Sequence, residues 1–104
     1  MTTKQRAYLK GLAMNIDPVM QLGKSMVTPE FTASVDEAIE KRELIKISVL
    51  QNCEGDIKEM AQTLADRTRS EVVQVIGKKI VLYRRSKENP KIELPKEKKK
   101  DKSE

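Results

Sequence analysis

The stretch Val19-Met20-Gln21-Leu22-Gly23-Lys24-Ser25-Met26-Val27-Thr28-Pro29 changes its pattern twice in a short span. Val19 to Leu22 is brief and mostly apolar, which predicts a buried strand. Gly23, with Lys24 at the tip, predicts a tight turn. Thr28 suits an N-cap because its hydroxyl can accept a backbone N–H of the first helical turn. Pro29 suits the first helical position, where its missing N–H costs nothing. Strand, turn and helix in that order are the repeating unit of an α/β fold. A helix start also presents unpaired N–H groups and the positive end of the dipole, a natural seat for phosphate. Lys24 and Ser25 would add a charge and a hydroxyl there. Most such turns bind nothing, so this stretch alone does not decide for phosphate.

Upstream, residues 3 to 16 read as a first helix, with Tyr8, Leu9, Leu12, Ala13 and Ile16 forming an apolar stripe and Thr3 as its cap. Tyr8 is expected in the core. Lys4, Arg6 and Lys10 lie off the stripe and are expected to face solvent or a partner. Gly11 weakens this helix by about 1 kcal/mol relative to alanine, and close packing would explain it. Asn15, Asp17 and Pro18 end the helix.

Downstream, residues 29 to 42 predict a second helix with Phe31, Val35, Ala38 and Ile39 inward and an acidic outer side of Glu30, Asp36, Glu37 and Glu40. Leu44 to Leu50 reads as a strand rich in branched residues. Asp56 caps a third helix whose stripe is Ile57, Met60, Ala61, Leu64 and Ala65. Arg67 and Arg69 near its end complement the helix dipole. Val72 to Ile76 and Ile80 to Arg84 are strands joined by Gly77-Lys78-Lys79, and glycine at the first central position fits a hairpin turn. The order is therefore α-β-α-β-α-β-β. Right-handed crossovers make the first three strands parallel and the last antiparallel. The expected fold is a single α/β domain over residues 1–95, with three helices and a four-stranded mixed sheet. Residues 96–104 are a charged segment expected to be disordered.

Composition narrows the chemistry. Twenty-one Lys and Arg stand against 16 Asp and Glu, a net charge of +5, which points weakly to a polyanionic partner. Residues 87–104 hold seven basic and five acidic groups, so the body is only modestly basic and any polyanion site must come from clustering. The chain has no histidine, which removes Ser-His-Asp triads and His-containing zinc sites. Cys53 is the single cysteine, so no internal disulfide can form and a reducing compartment is the simplest reading. No apolar run approaches the ~20 residues of a membrane span. A cytoplasmic protein without cofactor or metal is expected.

Several strings in this order resemble the YhbY family, whose domain is known as the CRM domain. They are Thr3-Lys4-Gln5-Arg6, Leu9-Lys10-Gly11-Leu12-Ala13, Asp17-Pro18-Val19, the Gly23 turn with Thr28, Glu43-Leu44-Ile45-Lys46, and Val73-Gln74-Val75-Ile76-Gly77 through Val81-Leu82-Tyr83-Arg84. The likeness runs over residues 3 to 95 and includes Lys91-Ile92-Glu93-Leu94-Pro95. The resemblance implies a fold similar to the C-terminal domain of bacterial translation initiation factor three, and an RNA-binding activity. Stand-alone bacterial members are associated with precursors of the large ribosomal subunit, and plant organellar relatives act in group II intron splicing. Family members carry a GxxG loop after the first strand, likened to the backbone clamp of KH domains. Here that loop is Gly23-Lys24-Ser25-Met26, and methionine stands where the second glycine would be.

The expected RNA contacts are Gly23, Lys24, Ser25, Met26 and Thr28 at the turn, Lys4, Arg6 and Lys10 on the first helix, and Lys46, Lys78, Lys79, Arg84 and Arg85 elsewhere. The expected partner is large-subunit precursor rRNA within ribosomal particles, bound by a monomer through phosphate neutralisation and shape. The alternative is a protein-interaction module that uses the acidic second helix, Glu37 and Glu40 included.

Overall fold

The computed structural model describes residues 1–23, 27–51, 53, 55–88 and 90–95. The elements are α1 (Thr3–Ala13), β1 (Met20–Leu22), α2 (Pro29–Arg42), β2 (Leu44–Val49), α3 (Ile57–Thr68), β3 (Glu71–Ile76) and β4 (Lys79–Tyr83). The expected α-β-α-β-α-β-β order is the one observed. β1 runs parallel to β2, and β4 runs antiparallel to both β2 and β3, as the crossover argument requires. The spatial order is β1-β2-β4-β3, so the last strand lies inside the sheet.

Two apolar clusters sandwich the sheet. On one face, Val35 and Ile39 of α2 and Met60, Ala61, Leu64 and Ala65 of α3 meet Ile45, Ile47, Val49, Ile80 and Leu82. On the other, Leu9 and Ala13 of α1 meet Leu44, Val73, Val81 and Tyr83, with Ile92 and Leu94 packed beside them. Alternation along β2 divides it between these faces, since successive side chains point to opposite sides.

Several local expectations change. The cap of α1 is Thr2 rather than Thr3, because Gln5 at the third helical position can answer it. Gln5 N donates to Thr2 Oγ1 at 3.0 Å and Thr2 N donates to Gln5 Oε1 at 3.0 Å, a reciprocal box. The helix ends at Ala13, not residue 16. Asn15 N and Ile16 N donate to the carbonyls three residues back, Leu12 and Ala13, at 3.1 and 3.3 Å, so the chain tightens out of α geometry. Tyr8 is 43% exposed and not in the core; Tyr83 is the buried tyrosine. Gly11 is exposed and a Cβ there would meet open space, so close packing is not its reason. The hairpin loop is the two residues Gly77 and Lys78. Gly77 has φ +55° and Lys78 has no positive φ, the pattern of a type II′ turn.

In β3 the register slips between Val72 and Gln74, leaving Val73 without a partner on β4. The slip changes the phase of the strand. Val72 and Val75 both pack toward α2 and α3, while Val73 enters the α1 cluster.

The N-terminal end of β2 is fixed by Glu43, which is fully buried and sits at φ +67°. Its Oε2 accepts from Ser86 N at 2.8 Å; its Oε1 accepts from Lys91 N at 2.6 Å and Ile92 N at 2.7 Å. Burial opposes the charge on Glu43, but these three N–H donors and the nearby Arg85 outweigh it and hold its carboxyl below the ordinary value.

A carboxyl with a lowered folded pKa stabilises the fold above its unfolded value, and that stability is lost as pH falls through the folded pKa. Glu43→Gln should therefore destabilise the protein at pH 7 by about 2–4 kcal/mol, since an amide turns an acceptor into a donor facing N–H groups. Melting curves from pH 7 down through the carboxylate range should also flatten in the variant. An unchanged melting temperature at pH 7 would remove Glu43 from this role.

Candidate nucleic-acid interface

The sheet topology brings three separate chain segments to one end of the molecule. Leu50 N donates to Leu22 O at 2.9 Å, so β1 and β2 finish side by side. Val49 N donates to Lys78 O at 2.7 Å, so the hairpin tip lies beside the same end of β2. Adjacent strands are about 4.8 Å apart, which puts the hairpin tip roughly 10 Å from the Gly23 turn. The α2 start follows that turn. Thr28 Oγ1 accepts from Phe31 N at 3.0 Å, and Thr28 O accepts from Thr32 N and Thr32 Oγ1, each at 2.9 Å. Thr28 therefore acts as the cap, as expected from the sequence. Gly23 is half-buried after Leu22. Lys24, Ser25 and Met26 lie outside the described residues.

One sheet face continues from this end. Gln21 pairs with Ser48, Ser48 with Lys79, and Lys79 with Ile76, a row crossing all four strands. Lys46, opposite Val81, is diagonal to Lys79 on the same face, within the reach of long side chains. This is the face that α1 partly covers, and α1 carries Lys4, Arg6 and Lys10 with no carboxylate. Lys4 and Lys10 are exposed, and Tyr8 lies between them in sequence. The opposite layer differs: α2 holds four carboxylates against two cations. A polyanion is attracted to the α1 side and repelled by much of α2. Gln21, Ser48 and Tyr8 were not among the expected contacts. Only the strand order puts Gln21 and Ser48 beside Lys79.

Two of the expected contacts are occupied inside the fold. Arg6 Nη1 donates to Val72 O, and also to Val73 O at 3.3 Å, satisfying carbonyls where the β3 register slips. Arg84 is more deeply committed. Its Nη1 donates to Asp36 Oδ1 and Thr68 O, both at 2.6 Å, and its Nη2 donates to Glu40 Oε1 at 3.3 Å and Asp36 O at 3.2 Å. It joins α2, the end of α3 and β4, and its side chain is only 16% exposed. Both arginines hold the fold together rather than facing a partner. Arg85 is exposed, but at the other end of β4 from Lys78 and Lys79. The expected set is thus divided: Gly23, Lys46, Lys78 and Lys79 share one region, Lys4 and Lys10 lie on the same side, and Arg85 stands apart.

The acidic face of α2 is also partly used. Besides Arg84, Glu40 Oε2 accepts from Ser86 Oγ at 2.8 Å and from Lys87 N at 3.0 Å. The Ser86 hydroxyl is the main cause that holds the Glu40 carboxyl below its ordinary value. Among the described residues, no group of His, Cys, Asp and Glu could hold a metal ion. No described helix is long and apolar enough to cross a membrane.

Residues 1–84 match the CRS1 / YhbY (CRM) domain family. The chain is 48% identical over 95 residues to the "Probable RNA-binding protein YqeI" of Bacillus subtilis (strain 168), covering 91% of this chain and 99% of that one. It is 38% identical over 96 residues to a protein named "RNA-binding protein" from Haemophilus influenzae, covering 91% and 95%. The solution structure of the hypothetical protein SAV1595 from Staphylococcus aureus superposes with a TM-score of 0.78 at 55% identity, covering 91% of this chain and 99% of that one.

The division of the basic residues is open to test. Arg84→Gln should lower the melting temperature by roughly 5–15 °C, because it strands Thr68 O and removes charge-assisted bonds. Lys78→Gln, at the exposed hairpin tip, should change it by less than about 3 °C. Equal losses would put Lys78 among the structural residues.

Proposed function

The chain belongs to the CRS1 / YhbY (CRM) family, and from that premise we propose that it is a non-enzymatic RNA-binding protein of the cytoplasm. Its partner is precursor rRNA of the large ribosomal subunit, and its role is in ribosome assembly. The observation that carries the RNA reading is the convergence of the β1 end at Gly23, the capped α2 start and the Lys78 hairpin tip at one end of the sheet. Lys46 and Lys79 continue the positive charge along the face next to α1. Relatives of similar length bear the name RNA-binding protein, in keeping with this reading. The ribosomal assignment rests on the family resemblance of the Gly23 turn and the Glu43–Lys46 and Val73–Arg84 strings.

The recognition chemistry is backbone neutralisation and shape. Lysines supply point charges, and release of condensed counterions drives much of the affinity. Phe31 is half-buried against the core and Tyr83 is buried, so neither is free to stack on a base. Tyr8 is exposed and is the aromatic available for one stacking contact. The chain offers no histidine for general base work, in keeping with a binding role. The alternative of a protein partner on α2 is less favoured, because Asp36 and Glu40 are already bonded to Arg84, Ser86 and Lys87.

Sedimentation of a native lysate at low and high salt tests the proposal. The protein should migrate with particles at or below the large subunit at low salt and leave them at high salt. Lys24→Glu and Lys78→Glu should each weaken that association several-fold with melting temperatures nearly unchanged. Migration with free proteins at both salts would overturn the ribosomal reading.

A further inference from the structure

A cleft of about 440 Å³ lies at the far end of β4 from the hairpin tip, between the end of α3 and the segment after β4. Its lining holds five cations and two carboxylates, a net charge of +3. Both carboxylates, Asp36 and Glu40, are paired with one of those cations, Arg84. The other four, Arg67, Arg69, Arg85 and Lys87, are exposed, and none of their side chains makes a hydrogen bond or a salt bridge among the described residues, although the Arg85 charge also bears on the Glu43 carboxylate. Four exposed cations around one concavity cost self-repulsion, and that cost is relieved by an anion.

The ordinary explanation for Arg67 and Arg69 is the α3 dipole, but a terminal carbonyl of that helix, Thr68 O, already receives Arg84 at 2.6 Å. Arg69 is also an uncomfortable choice for its position. It is the C-cap of α3, at φ +58° and ψ +39°, a left-handed conformation that favours glycine. A long cationic side chain stands where glycine would fit with less strain. Arg85 and Lys87 flank the buried Ser86, whose N–H is held by Glu43, so the backbone that presents them is anchored.

We infer that this cleft is a second phosphate-backbone site, which rests on the RNA-binding reading and adds to it a second RNA segment. β4 rises about 3.4 Å per residue, which separates Lys78 from Arg84 by roughly 20 Å. The chain then grips RNA at both ends of one central strand. Two weak contacts joined by a rigid body bind far more tightly than either alone.

The test uses the full chain and a fluorescein-labelled RNA stem-loop of arbitrary sequence, with affinity measured by anisotropy over a salt series. Arg69→Gly is the informative single variant. It should keep or raise the melting temperature, because glycine relieves the left-handed cap, while RNA affinity falls several-fold. The combination Arg69→Gly, Arg85→Gln and Lys87→Gln should lower affinity at least tenfold and reduce the slope of log affinity against log salt by about two units. Lys78→Glu with Lys79→Glu is the companion variant at the other end. If the wild type does not bind the stem-loop, both readings fall. If Lys78→Glu with Lys79→Glu weakens binding while the Arg69 combination leaves affinity and slope unchanged, only this inference falls. A lower melting temperature in Arg69→Gly would mean the arginine serves the helix end. Poly-glutamate bound as tightly as the stem-loop, and lost with the same three residues, would reassign the cleft to an acidic protein surface.

Discussion

The carboxylate of Glu43 ties together parts of the chain that are far apart in sequence. It sits where α2 gives way to β2, with its N–H on Ile39 O at 2.8 Å and its carbonyl taking Arg84 N at 2.9 Å. Its side chain then gathers the N–H groups of Ser86, Lys91 and Ile92. A buried charge is tolerable only when its lone pairs are filled, and here backbone donors fill them. Once Lys91 and Ile92 are held, Ile92 and Leu94 lie against the α1 cluster, and Gln5 Nε2 reaches Pro95 O at 3.0 Å. A segment rich in Lys, Glu and Pro is thereby built into the folded body, with Glu43 joined by Glu40, Gln5 and the apolar contacts of Ile92 and Leu94.

The basic residues separate by what their side chains meet. The two that turn inward, Arg6 and Arg84, are arginines placed where several oxygens face one point. A planar fork can donate to more than one carbonyl or carboxylate at once, and an ammonium group cannot do so with the same geometry. The residues left outside near the hairpin tip and on α1 are lysines. A basic composition thus conceals two roles: Arg6 and Arg84 brace the fold, while the lysines near the hairpin tip and on α1, and the exposed Arg67, Arg69 and Arg85 at the far end, supply the outer field. The count of charges does not distinguish them.

Element order and strand direction were legible because they depend on local patterns: apolar periodicity, the caps Thr28 and Asp56, and the glycine of the hairpin. Asp56 Oδ1 accepts from Lys58 N at 3.0 Å, as its position suggested. Strand order was not legible, since nothing local states that β4 enters between β2 and β3. The slip at Val73 was hidden for the same reason: Val72, Val73 and Val75 are all apolar, and only the two flanking layers decide which way each points. Tyr8 follows a helical stripe in sequence, yet α1 rests on the sheet through Leu9 and Ala13 and leaves the ring outside. Arg6 and Arg84 read as surface charges because their acceptors, at Val72 and Asp36, are 66 and 48 residues away. The cleft at the end of α3 is built from Arg67, Arg69, Arg85 and Lys87, and the sequence offered only a local reason for the first two.

The inner position of β4 also governs how the chain can acquire its structure. β1 and β2 form a parallel pair early in the sequence, but the free edge of β2 has no partner until residues 79 to 83 have been synthesised. β3 has no sheet to join before then, because its only neighbour is β4. The pairing of β4 with β2 closes a loop that contains all of α3 and β3, and long-range pairings of this kind are slow to form. During synthesis the half-built domain exposes an unpaired strand edge and the apolar faces of Ile45 and Ile47.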